Sequence, residues 1–168
     1  MQKIILEIVF LGPSSGIYAR KHVPFLSFTN VNTNSSRCLN IEDEKNFISD
    51  YQNGSLPDYS MYIPNLRNDG HDTGVDYAGM YLTLTFGKIL NNPQAMKDVV
   101  FIITFDESGV SLTNQIYTAM IGANINPGNQ NSQSLNHASF LRLIEDEFEI
   151  GNLGRDDMKA AAINGIWK

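Results

Sequence analysis

The stretch that most limits what this chain can fold into is Val99-Val100-Phe101-Ile102-Ile103-Thr104-Phe105. It is almost unbroken in β-branched and aromatic residues, and it ends at two carboxylates, Asp106 and Glu107. A half-solvated strand alternates apolar and polar side chains. A continuous apolar run of this length instead predicts a strand buried on both faces, as in a parallel sheet covered by helices.

The flanking sequence supplies elements for such a sheet. Residues 3–11 are predicted as a strand, rich in Ile, Val, Leu and Phe. Pro13 to Gly16 is a turn, and residues 17–40 look irregular. A short helix is predicted over 42–51, ended near Gly54, followed by a strand at 60–63 that Pro64 stops. From Thr73 the period changes: Val75, Ala78, Leu82, Phe86 and Ile89 lie three or four apart, which predicts a helix capped by Asp72 or Thr73 and ended by Asn91-Asn92-Pro93. A strand over 116–121, a polar loop over 122–136 and a helix over 138–148, apolar at Phe140, Leu141, Ile144 and Phe148, complete the series. Alternating strands and helices predict an α/β fold, and 168 residues suit a single domain over 1–168. With 42% hydrophobic and 18% charged residues the chain can bury a core.

Charge and hydropathy narrow the function classes. The net charge is −6 and no basic stripe exists, so a nucleic-acid backbone is excluded as the main partner. No apolar run reaches the length of a membrane span. The opening MQKIILEIVFLGPSSG imitates a secretory leader, but Glu7 interrupts its short apolar run, which favours a buried strand. Cys38 has no second cysteine to pair with. Asn34-Ser35-Ser36 and Asn53-Gly54-Ser55 are glycosylation sequons that matter only in an exported chain.

In open α/β sheets ligands collect beyond the carboxyl ends of the strands. That rule selects the loop after 60–63, with Asp69 and His71, and the end of 99–105, with Asp106 and Glu107. Two converging carboxylates repel unless a proton or a cation lies between them, and a divalent metal ion answers that need. The bare pattern equally suits one carboxylate capping a turn while the other is solvated. His71 suits metal binding, phosphoryl contact or proton transfer near neutral pH, or a turn bonded to a neighbouring Asp. His137 follows a plausible N-cap, Asn136, so it also reads as a helix start. His22, beside Arg20 and Lys21, also reads as an exposed basic turn.

Five segments occur in one order: YARKHVPF at 18–25, LPDYSMYIPNLRNDGHDTG at 56–74, FIITFDE at 101–107, NHASFLRLIEDEF at 136–148 and GNLGRDD at 151–157. The series resembles the C-terminal part of the phosphoesterase family that contains fungal extracellular acid phosphatases and bacterial phospholipases C. The resemblance implies an alkaline-phosphatase-like, three-layer α/β/α sandwich with a mainly parallel sheet. It implies an extracellular hydrolase of small phosphate esters that uses a divalent metal ion and a covalent phospho-enzyme. Asp106 and Glu107 then fall on a metal-binding pair. His71 falls on a histidine expected to contact the phosphoryl oxygens, and His22 on a position expected near the substrate, where it assists the leaving group. His137 matches a segment with an orienting or direct role. Asp72 and Asp69 are expected to support the imidazoles, Asp72 by fixing a tautomer.

Members of that family carry an N-terminal half with a Glu-Asn metal-binding segment and a hydroxyl nucleophile. No Ser or Thr here stands in a matching motif; Ser14 and Ser15 read as turn residues, and the nucleophile is unassigned. The expectation is therefore a fold truncated at its N-terminus, with an exposed sheet edge that invites self-association. Three functions follow from these readings: a metal-assisted acid phosphatase, a phospholipase C-like phosphodiesterase, and a non-catalytic remnant that binds metal or phosphate.

Overall fold

The computed structural model describes residues 2–6 as backbone and residues 12–168 in full. Part of the strand expected over 3–11, residues 7–11, lies outside the described residues. The chain is mixed α/β with small sheets, and its contacts divide it into two compact units, Met1–Gly87 and Lys88–Lys168.

In the first unit, β1 (Gln2–Leu6) is the middle strand of a parallel sheet. A hairpin of β2 (Ser14–Ser15) and β3 (Tyr18–Ala19) follows, then two 3₁₀ turns, Arg20–His22 and Pro24–Ser27, and two single-turn helices, α1 (Thr29–Asn32) and α2 (Ser35–Cys38). The expectation that 17–40 is irregular is therefore corrected. Asn34 caps α2 by accepting the Arg37 N–H, and Arg20 and Asn32 both donate to the Leu26 carbonyl, which gives this polar run its local folds.

β4 (Ile41–Asp43), α3 (Glu44–Asn53) and β5 (Tyr59–Ile63) form a crossover around β1, giving the parallel order β4-β1-β5. Parallel strands require such a connection, because a tight hairpin reverses direction. Asp43 starts α3 by accepting the Lys45 and Asn46 N–H groups, and Gly54 ends it with φ of 65°, a conformation a side chain would oppose. α4 (Val75–Leu90) follows as expected. Its expected caps are used elsewhere: the Thr73 hydroxyl donates to the Arg67 carbonyl, and Asp72 binds the His71 ring. Tyr18, Val23, Leu26 and Ile41 form the buried cluster, with Phe25, Val31, Cys38 and Ile63 packed against it. Beside it Phe47, Tyr62 and Phe86 stack edge to face, with centroids 4.9 to 6.2 Å apart, tying α3, β5 and α4 together.

In the second unit β6 (Val100–Thr104) and β7 (Thr118–Gly122) form an antiparallel ribbon. This overturns the reading of 99–105 as a parallel strand covered on both faces. Its middle residues are half-buried, and Val99 and Val100 are 44% and 37% exposed. The composition of the run reported high strand propensity correctly, but propensity cannot distinguish a hairpin partner from a crossover partner. Gly122 sits where a Cβ would come within 2.6 Å of the Val99 carbonyl oxygen. Gly122→Ala is expected to cost about 1–3 kcal/mol, because backbone and not a flexible side chain must yield; urea unfolding checks this.

α5 (His137–Glu147) opens with a reciprocal cap. The Asn136 side chain accepts the Ser139 N–H, and the Ser139 hydroxyl accepts the Asn136 N–H. The capped end buries Ser139, so Leu143, one turn on, is buried too, while Leu141 and Phe148 of the expected apolar side are exposed. α6 (Asp156–Lys159) is a single turn, and the C-terminal segment pairs back onto 124–131 through the Ile125–Trp167 bridge and the Asn129–Gly165 bond.

Candidate active site

The loop after β5 is built by its own backbone. The Asn65 carbonyl accepts the Asn68 and Asp69 N–H groups, and the buried Asn65 side chain accepts the Arg67 N–H. The Leu66 N–H bonds to the Ile17 carbonyl, which holds the loop beside the β2–β3 hairpin. Arg67 lies 5.5 Å from the centre of the Tyr77 ring, on the first turns of α4. These ties leave the next residues projecting from a fixed base.

Asp69 joins two of the expected residues. One carboxylate oxygen accepts the His71 backbone N–H at 2.9 Å, and the other lies 3.6 Å from His22 Nδ1. The second distance exceeds a hydrogen bond and makes an ion pair only with a protonated imidazole. The 3₁₀ turn carrying His22 is anchored by Val23 and Leu26, each 1% exposed. His71 itself is solvated, and its Nδ1 lies 2.7 Å from Asp72 Oδ1. With the carboxylate accepting, Nδ1 carries the proton, so the neutral ring offers a lone pair at Nε2 and the charged ring offers a second N–H.

The hydrogen bond and charge of Asp72 push the His71 imidazole above its ordinary value, with a smaller push from Asp69. The stabilisation this pair gives is fully present below the unfolded imidazole value and is lost as pH rises through the folded one. Asp72→Asn is expected to return the His71 titration toward the ordinary imidazole value. An NMR titration of the ring protons reads this directly, and an unmoved curve would remove Asp72 from the account.

In the second unit Asp106 and Glu107 follow β6 as expected, both exposed. Asp106 Oδ1 accepts the Glu107 N–H at 2.9 Å, and the Asn114 side chain holds the Ser108 N–H, so the turn is defined. His137 Nε2 donates to the Asp106 carbonyl at 2.8 Å. A carbonyl only accepts, so this contact fixes the His137 tautomer. His137 thus touches the backbone of the carboxylate turn, a positioning arrangement that sequence reasoning left open between orienting and direct roles. The bridging position of Asp69 was also illegible, because it depends on a turn 47 residues from His22 in sequence. Ser14 and Ser15 form the exposed strand of the hairpin, which corrects the expectation that they lie in a turn over Pro13 to Gly16; the turn follows at 16–17.

Two hard carboxylate oxygen donors suit a divalent cation such as magnesium, manganese or calcium. They supply part of a coordination shell. Among the described residues, no three His, Cys, Asp or Glu side chains come together in a way that would hold a metal ion. No described helix is long and apolar enough to cross a membrane.

A model of the Phosphoesterase family matches residues 5–151. The chain belongs to the phosphoesterase family. The chain is 33% identical over 144 residues to a probable acid phosphatase of Kluyveromyces lactis, covering 83% of this chain and 34% of that protein. It is 31% identical over 147 residues to an acid phosphatase of Aspergillus fumigatus, covering 85% of this chain and 33% of that protein. It is also 31% identical over 154 residues to a phosphatidylinositol-3-phosphatase of Mycobacterium tuberculosis, covering 92% of this chain and 49% of that protein. The chain thus spans about a third of the length of the fungal relatives and half of the bacterial one.

Proposed function

We propose that this phosphoesterase hydrolyses phosphate monoesters of small molecules with the assistance of a divalent metal ion. The observation that carries the reading is the imidazole–carboxylate array after β5, in which Asp69 ties His22 to the His71 turn and Asp72 supports the His71 ring. Charged imidazoles donate well to phosphoryl oxygens, and the raised His71 value keeps that form populated at acidic pH. His71 contacts the phosphoryl group, and His22, held near Asp69, protonates the leaving oxygen. Asp106 and Glu107 would hold a divalent ion, with His137 steadying their turn through the Asp106 carbonyl. When bound, such an ion would supply positive charge for a phosphate group. The attacking hydroxyl is assigned to no residue.

The relatives named acid phosphatase favour the monoesterase reading, and the one named phosphatidylinositol-3-phosphatase extends the candidate esters to lipid headgroups. The parallel β4-β1-β5 sheet with α3 in its crossover supports the finer proposal of a three-layer α/β/α, alkaline-phosphatase-like fold. Export is proposed on the same footing: both sequon asparagines, Asn34 and Asn53, are exposed.

The test is hydrolysis of an aryl phosphate by the 168-residue chain, with divalent metal and with chelator, beside Asp106→Ala. Metal-dependent turnover that Asp106→Ala loses is the expected result. A folded chain with no turnover under any metal would overturn the hydrolytic reading and favour a protein that binds phosphate or metal without turning it over.

A further inference from the structure

The dipeptide Asn-Gly occurs twice in the chain, at Asn53-Gly54 and at Asn164-Gly165. A side-chain amide followed by glycine is open to attack by the next backbone nitrogen, because glycine has no side chain to shield that nitrogen or restrict its approach. The attack needs a nitrogen free to give up its proton. It also needs a backbone free to bring that nitrogen against the side-chain carbonyl.

The fold treats the two pairs differently. Asn53 is the last residue of α3, and the Gly54 N–H donates to the Tyr51 carbonyl at 3.2 Å. The Asn53 side chain is held as well, donating to the Ser49 hydroxyl at 3.3 Å. The helical dihedrals and these bonds keep the Gly54 nitrogen occupied and its reach fixed. Asn164 lies outside any helix or strand, and both it and Gly165 are exposed. Its side chain makes one bond, to the Ala162 carbonyl at 3.2 Å. Among the described residues, nothing accepts the Gly165 N–H.

We propose that Asn164 is a site of spontaneous covalent modification, converted through a cyclic imide with Gly165 to aspartate and isoaspartate. The Gly165 nitrogen gives up its proton and bonds to Asn164 Cγ. The Cγ–Nδ2 bond breaks, and the side-chain nitrogen leaves as ammonia with that proton. Water then opens the ring. Addition at Cγ gives aspartate. Addition at the main-chain carbonyl carbon gives isoaspartate, whose backbone runs through the side chain and is one methylene longer.

That lengthening falls where the C-terminal segment is pinned. Asn131 and Asn129 donate to the Asn164 and Gly165 carbonyls at 3.4 and 2.6 Å. The Asn126 N–H donates to the Ile166 carbonyl at 2.8 Å, and the Lys168 N–H to the Asn124 carbonyl at 3.0 Å. In isoaspartate the Asn164 carbonyl becomes a charged carboxylate, and the added methylene moves the later groups out of register. The modified chain therefore holds 164–168 against 124–131 more loosely. The site is independent of the hydrolytic reading, since none of these residues takes part in it.

The experiment ages the full chain at mildly alkaline pH, in buffer and in urea, and then maps it with trypsin. Asn164 falls in the peptide 160–168, marked by the single tryptophan, Trp167, and Asn53 falls in 46–67. Loss of ammonia with two separable acidic products is expected from 160–168 of the folded chain. It should run at least about tenfold faster than at Asn53, where the helix end must first open. In urea the two sites should react at comparable rates. Asn164→Gln, whose longer side chain closes the ring poorly, should leave 160–168 unchanged. In hydrogen exchange the isoaspartate form should exchange the Asn126 and Lys168 amides faster than the fresh chain does. A folded chain that keeps Asn164 intact while the chain in urea loses it would overturn the proposal, as would equal rates at Asn53 and Asn164 in the folded chain. Unchanged exchange in the isoaspartate form would overturn the loosening.

Discussion

His71→Ala is expected to lower kcat/KM for an aryl phosphate by about 100- to 10,000-fold, the range for removing a positioned acid–base or charge-stabilising group. The substitution is clean. The turn around residue 71 is held by the His71 backbone N–H to Asp69 and by the Thr73 hydroxyl to Arg67, and neither bond uses the imidazole. The ring is solvated, so its removal leaves no cavity. Folding and melting temperature should therefore stay close to native while turnover falls. Asp106→Ala should produce a comparable fall together with loss of the response to added metal, whereas His71→Ala should retain that response. Steady-state kinetics of the two variants across a metal titration separate the roles. Native-like rates in His71→Ala would remove the imidazole from the mechanism.

Leu26→Ala is expected to cost about 2–5 kcal/mol, the range for truncating a buried leucine. Leu26 is 1% exposed and packs with Tyr18, Val23 and Ile41. Its carbonyl also receives Arg20 and Asn32, so the same residue organises the turns on either side of His22 by packing and by hydrogen bonding. The substitution keeps the carbonyl and removes only the side chain, which isolates the packing contribution. Collapse around the void shifts the 3₁₀ turn at 20–22, and His22 then loses its 3.6 Å approach to Asp69. Hydrolysis should fall in the residual folded protein as well. Denaturant unfolding followed by fluorescence measures the first effect. A loss below about 1 kcal/mol would show that this cluster is not the core of the first unit.

Much of the local structure was legible because its causes are local. Gly54 ends α3, Asn136 opens α5, and the four-residue spacing of Ala78, Leu82 and Phe86 marks the buried side of α4, while Val75 of the expected face is exposed and the predicted start of α3 at 42 falls in β4. Each depends on side chains within a few residues, so the order of residues carries the information. The family was legible for a related reason: five motifs in one order, now matched by the family model over 5–151.

What the sequence by itself determined about this protein is its family and its mixed α/β character. Tertiary structure alone decided which partner the apolar run at 99–105 would take, and it took β7 in an antiparallel ribbon. It also decided that Asp69 would serve both His22 and the His71 backbone and that His137 would hold the Asp106 carbonyl. The physical reason is the same in each case. Strand partners and long-range polar contacts depend on distances between residues far apart in the chain, and propensity and periodicity describe only neighbours.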